Sequence, residues 1–119
     1  MDRDMWRQWL HGFLDLCLLS LLDEQRDYGR GLAERLALGG LDDVPGGTMY
    51  PALLRLEKQG LVLTDRVTSA SGPPRKYYDL TPLGRSVMND RKDSWKTFRA
   101  AVDSVVDSPA QSRSPGRRG

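Results

Sequence analysis

Apolar residues recur at helical spacing in four stretches of the chain and at strand spacing in one. Trp6, Leu10, Phe13, Cys17 and Leu21 are separated by 4, 3, 4 and 4 residues, which places them on one stripe of a helix from about Met5 to Asp23. Trp9, Leu14, Leu16, Leu18, Leu19 and Leu22 widen that stripe until the second half is apolar nearly all round. Such a helix is buried on several sides or lies at a subunit interface. A second helix is predicted from an Asp27 N-cap to about Leu38, with Leu32, Ala33 and Leu36 inward and Gly39-Gly40 as its stop. The stretch Gly40 to Gly47 (GLDDVPGG) is dense in turn formers. A third helix then spans about Gly47 to Gln59, with Met49, Leu53, Leu54 and Leu56 able to pack, Pro51 in the first turn and Gly60 at the end.

From Leu61 the period changes. LVLTDRVT (Leu61 to Thr68) alternates and is rich in β-branched residues, SASGPP reads as a turn, and Arg75 to Leu80 reads as a second strand. Thr81 as N-cap with Pro82 at the first helical position opens a long fourth helix to about Val106. On it Met88, Trp95, Phe98, Val102 and Val105 follow at intervals of 7, 3, 4 and 3, a seam suited to a partner helix. The expected class is mainly α with a small β-hairpin. Helix, helix, turn, helix, hairpin is the order of a winged helix-turn-helix, whose third helix enters the major groove while the hairpin reaches the backbone or minor groove. The winged core is expected over about residues 25–81, inside one domain of residues 1–106. Residues 107–119 are expected to be a disordered basic tail, because SPAQSRSPGRRG is too poor in apolar residues to order itself.

Composition narrows the chemistry. At 119 residues, 39% hydrophobic and 29% charged, the chain has the size and make-up of one soluble domain. Its single cysteine, Cys17, excludes a disulfide framework and a thiolate zinc site. With one histidine, His11, and no nucleophile–base pair at catalytic spacing, no enzyme activity, metal or cofactor is expected. The richest apolar run, Phe13 to Leu22, is interrupted by Asp15 and Ser20 and is too short to cross a bilayer, and no cleavable leader is visible. A cytoplasmic protein is therefore expected. The net charge of +2 hides an asymmetry. Residues 1–44 carry five basic and nine acidic side chains, residues 45–85 six and three, and residues 86–119 seven and four. The third helix and the hairpin thus lie in a basic segment, where Thr48, Tyr50 and Arg55, then Arg75 and Lys76 beside Tyr77 and Tyr78, have the donor types used on phosphates and base edges.

Gly47-Thr48-Met49-Tyr50-Pro51-Ala52-Leu53-Leu54-Arg55-Leu56-Glu57-Lys58-Gln59-Gly60-Leu61-Val62 resembles the recognition-helix motif of the PadR family of transcriptional regulators. Gly72-Pro73-Pro74-Arg75-Lys76-Tyr77-Tyr78-Asp79-Leu80-Thr81-Pro82-Leu83-Gly84 is similar to that family's wing, and Tyr28-Gly29 is a weaker third match. Met49 stands where leucine is usual, and Pro74 where a basic residue is frequent. The resemblance covers about residues 5 to 106. It implies a homodimer built on the fourth helix with the first, binding a pseudo-palindromic double-stranded operator, usually as a repressor released by a small molecule. The single C-terminal helix is similar to the family's short branch. DNA contacts are then expected from Tyr28, Thr48, Tyr50, Pro51, Arg55, Lys58, Arg75, Lys76 and Tyr77. Tyr77 and Tyr78 alternate along a strand, so one faces the core and the other does not. Trp95, with its symmetry mate, resembles the residue that forms a flat slot for aromatic or drug-like effectors in some members, with Arg99 and Asp15 as further candidates. The competing reading is a winged-helix protein-interaction module whose basic face does not bind specific DNA.

Overall fold

A computed structural model describes residues 3–42 and 44–107, and the expected tail from Ser108 lies outside the described residues, as do the side chains of Trp6, Trp9 and His11. The element order is α1 (Arg3–Glu24), β1 (Asp27–Tyr28), α2 (Gly29–Leu38), α3 (Gly46–Lys58), β2 (Val62–Ser69), β3 (Gly72–Leu80) and α4 (Pro82–Asp107). The chain divides into two compact units, Met1–Asn89 and Asp90–Gly119.

The core of the first unit is built around α1. Leu10, Leu14, Leu18, Leu19 and Leu22 are buried, together with Leu32 and Leu36 of α2, Met49, Ala52, Leu53 and Leu56 of α3, Leu61, Val62, Tyr78 and Met88. The inward stripe of α1 is therefore Leu10-Leu14-Leu18-Leu22, one position round from the expected one. Phe13, Cys17 and Leu21 are only half-buried, because a nearly all-apolar helix leaves the choice of face to its neighbours. Burial raises the Cys17 thiol above its ordinary pKa, so it stays protonated.

Helices α2 and α3 end in the same way. Gly40 (φ 101°) and Gly60 (φ 75°) occupy the left-handed region just past each helix, where a side chain would be strained. Leu41 and Leu61 amides return to the carbonyls of Leu36 and Leu56, and Gly40 and Gly60 amides to those of Ala37 and Glu57. That is the Schellman arrangement, and it turns the chain sharply out of each helix.

The sheet has three antiparallel strands in the order β1-β3-β2, not the two of the expected hairpin. The added strand pairs Asp27 with Tyr78 and Tyr28 with Tyr77. Asp27 is consequently not the N-cap of α2. That position falls to Tyr28, in extended conformation and without a side-chain cap. The buried Asp27 carboxylate instead accepts the Tyr28 amide at 2.9 Å and Arg35 Nη1 at 3.2 Å. Arg35 Nη2 also donates to the Leu21 carbonyl at 2.7 Å and to Glu24 Oε1 at 2.9 Å, tying β1 to the end of α1.

The wing is longer than expected. Its turn is only Ala70 and Ser71, and Gly72, Pro73 and Pro74 already belong to β3. Val67 pairs with Arg75 and Ser69 with Gly72, so Pro73 and Pro74 face Thr68 across a bulge. Two residues without an N–H fit a place where the ladder is interrupted.

Thr81 caps α4 as expected. Its hydroxyl accepts the Gly84 amide at 2.9 Å and donates to the Gly60 carbonyl at 2.8 Å. Gly84 and Met88 are buried in the first unit, and Arg85 Nε meets Asp23 Oδ1 of α1 at 2.9 Å. In the second unit α4 exposes Phe98, Val102, Val105 and Val106.

Candidate nucleic-acid interface

Helix α3 begins at Gly46, with Pro45 as N-cap, so Pro51 sits in its second turn and not in the first. Having no N–H, it cannot return a hydrogen bond to the carbonyl of Gly47 four residues back. Both residues are exposed, where solvent or a ligand can satisfy that carbonyl. Tyr50, Pro51, Leu54, Arg55 and Lys58 form the exposed arc, and Thr48 is half-buried at its margin. Leu54, expected to pack, is 48% exposed because the core is met by Met49, Leu53 and Leu56.

Tyr50 leaves the arc toward α2. Its ring lies over Gly29, where an added Cβ would come within 2.6 Å of the ring and of the phenol oxygen. Any side chain at position 29 would displace that ring, which gives the Tyr28-Gly29 pair a packing reason. Between this contact and the wing lies a cleft of about 460 Å³, lined by Tyr28, Gly29, Arg30, Tyr50, Leu54, Arg75, Lys76 and Tyr78. It opens past the end of β1, where β3 continues beyond its short partner.

The electrostatics of the cleft favour an anion. Three of its lining residues are cationic, and none is a carboxylate. The N-terminus of α2 opens there without a side-chain cap or an acidic residue in its first turn. The positive end of the helix dipole therefore adds to the side-chain charge. Two carboxylates offset this: Lys76 Nζ lies 3.5 Å from Glu57 Oε1, and the Asp27 carboxylate, itself paired with Arg35, accepts the Tyr28 amide at the start of α2. Tyr78 is the tyrosine that faces inward. Burial first, then Glu57 and Tyr50, raise the pKa of its phenol, so it remains a neutral hydrogen-bonding group.

Tyr28, on the cleft wall, lies beside Tyr77 of β3 with ring centroids 5.5 Å apart. The Arg75 guanidinium sits 4.6 Å from the Tyr28 centroid and that of Arg26 4.9 Å from the Tyr77 centroid. Each arginine is thus oriented by an aromatic face while its N–H edges stay available.

Arrayed along a three-stranded wing and the helix before it, these residues have the order and spacing of a DNA-binding winged helix. Residues 18–90 match the PadR-like family of transcriptional regulators. The chain belongs to that family. This PadR-like regulator is similar to a PadR-family regulator of Eggerthella lenta, with 31% identity, coverage of 90% of this chain and 93% of that one, and a TM-score of 0.78. It is similar to a PadR-like regulator of Bacillus cereus at 32% identity, over 86% of this chain and 99% of that one, with a TM-score of 0.76. A transcriptional regulator of Mycobacterium tuberculosis is 30% identical over 84 residues, 71% of this chain and 77% of that protein. The mainly α winged-helix fold and the family expected from the two long motifs are those found.

Of the residues expected to touch DNA, Tyr28, Tyr50, Arg75 and Lys76 converge on the cleft. Thr48, Pro51 and Lys58 lie elsewhere on α3, and Tyr77 stands beside Tyr28 without itself lining the cleft. Arg55 Nη2 donates to Asp15 Oδ1 of α1 at 2.7 Å. Asp15, an effector candidate from the sequence, is thereby engaged with α3. The other two effector candidates lie on α4 in the second unit, Trp95 with its ring 6.3 Å from that of Phe98 and Arg99 with Nε 3.7 Å from Asp103 Oδ2. Arg30, Arg26 and Leu54 were not singled out from the sequence as site residues. Only the position of Arg30 directly after Tyr28-Gly29 pointed to it. No described helix is long and apolar enough to cross a membrane.

Proposed function

We propose that this regulator is a homodimeric repressor of a pseudo-palindromic operator. In this reading α3 lies in the major groove, the β2–β3 wing follows the backbone, and the cleft between α2, α3 and the wing seats a phosphate. The cleft carries the reading: three cations, three tyrosines and a helix N-terminus without a side-chain cap meet there with no carboxylate on the wall. Tyr28, Tyr50, Arg30, Arg75 and Lys76 are the backbone contacts, with Lys58 and Tyr77 flanking them. Thr48, Pro51 and Arg55 meet the groove. A duplex selected by the protein from a randomised library tests this. Its affinity is expected to fall by roughly a thousandfold between 50 and 200 mM salt, the loss typical of six or more neutralised phosphates. Failure to select any sequence would favour a protein-contact role.

The dimer reading rests on α4, where Phe98, Val102 and Val105 are 55%, 41% and 58% exposed at the spacing of a helix-pairing seam. Leaving three such side chains in water is the mark of an interface. A Phe98→Asp, Val102→Asp double variant is expected to elute as a monomer in light-scattering chromatography and to lose operator binding, since one half-site alone is held. A dimer of unchanged mass would refute the seam. Release by a small aromatic effector is assigned to Trp95 and Arg99 on the same helix.

A further inference from the structure

The exposed arc of α3 is poor in groups that read bases. It presents Gly47, Pro51 and Leu54, with Tyr50 drawn to α2 and Lys58 in the last turn. Arg55 is the single arginine of the helix and its one planar fork of donors, the shape that matches a guanine edge with two parallel hydrogen bonds. Its side chain is 47% exposed, while that of Asp15, which holds it, is 23% exposed. The carboxylate is the sheltered partner and the guanidinium the open one. A single short contact, Nη2 to Oδ1 at 2.7 Å, anchors one corner of the fork. With the side chain 47% exposed, its other N–H groups are open to a ligand. Leu14 and Leu18, on either side of Asp15 along α1, are buried, so the carboxylate rides on a turn of α1 anchored in the core.

We propose that Asp15 is a positioning residue for sequence discrimination. It fixes the fork of Arg55 in one orientation, at the cost of placing a negative charge beside the DNA. The proposal rests on α3 as the recognition helix and on Arg55 as a base contact. Asp15 thus opposes general attraction to phosphate and favours the correct sequence, two effects that point in opposite directions.

The test compares a duplex selected by the wild-type protein with a scrambled duplex of the same length and composition. Asp15→Asn keeps the shape and removes the charge. Scrambled-duplex affinity is expected to hold or rise, while the ratio of selected to scrambled affinity falls by about tenfold, within the range of one bidentate base contact. Arg55→Lys keeps the charge and loses the fork. It is expected to lower the ratio similarly, and Asp15→Asn added to it should change the ratio no further. If Arg55→Lys leaves the ratio intact, the base-contact reading itself fails. If Arg55→Lys lowers the ratio and Asp15→Asn does not, the positioning role is overturned while Arg55 remains a reader. Equal losses on both duplexes together with a lower melting temperature would mark the pair as structural only, and would equally overturn the proposal.

Discussion

Gly84→Ala is expected to destabilise the fold by about 3 kcal/mol, since overpacking typically costs 1–3 kcal/mol and each lost hydrogen bond about 1 more. An added Cβ at this position would overlap the Leu61 carbonyl oxygen and lie 2.8 Å from Leu80 Cδ1 and 3.0 Å from the Leu61 carbonyl carbon. Two of these three atoms are backbone, so no rotamer change relieves the clash. The Leu61 carbonyl also accepts the Thr81 amide at 3.1 Å, and Thr81 in turn holds Gly84 and Gly60. Moving α4 outward by a methyl radius would therefore open the hydrogen bonds that join the end of α3 to the start of α4. Against a total stability of about 5–15 kcal/mol for a domain, that is a large fraction. Urea unfolding should show a lower midpoint with an unchanged slope. A midpoint within experimental error of the wild type would mean that this junction yields readily.

The same glycine shows how far the sequence could be read. Its place in the wing motif was visible, but its reason is a contact with a carbonyl 23 positions earlier. The four helices were legible because their apolar intervals repeat over several turns, and the Thr81 cap because its chemistry is local. Where the pattern was ambiguous, neighbours decided. The second half of α1 is apolar nearly all round, so the choice between Phe13 and Leu14 as inward residue depended on α2 and α3. Leu54 has the same hydropathy as Leu53 and differs from it only by one step of helical rotation. Asp27 looked like an N-cap since aspartate before a helix usually is one. Arg35, eight residues on, binds its carboxylate instead, and a two-residue strand has no periodicity to announce it.

The site follows the same rule. Arg75 and Lys76 announced themselves as a basic pair with aromatic neighbours, and Tyr50 came with its motif. The cleft did not, because it exists only where Gly29, Tyr50 and the free edge of β3 meet, and these lie far apart in the chain. Arg30 has no local signal of function beyond its place at the opening of α2. The net charge of residues 1–44, with nine acidic side chains against five basic, even argues against finding a DNA contact there. Four of those carboxylates, Asp15, Asp23, Glu24 and Asp27, are bound by arginines of the fold, so that total overstates the field near α2.

Removing the cations of the cleft together should therefore abolish operator binding while leaving the fold intact. If the proposed dimer seats phosphates in this cleft, Arg30→Ala, Arg75→Ala, Lys76→Ala takes three phosphate-neutralising charges from each protomer. In a dimer holding six phosphates through them, the slope of log affinity against log salt should become shallower by about 5, and affinity at low salt should drop at least a hundredfold. The structural losses are small. Arg30 and Arg75 are exposed and Lys76 is half-buried. The Lys76–Glu57 contact, at 3.5 Å between partners that are each about a third exposed, contributes at most about 1 kcal/mol. Stacking of Arg75 on Tyr28 adds about 0.5–1 kcal/mol. Circular dichroism and chromatography should thus report a folded dimer. Fluorescence anisotropy with the selected duplex should report no binding at 150 mM salt. A folded triple variant that binds as the wild type does would move the phosphate contacts off this cleft, and with them the assignment of the α2 N-terminus as their seat.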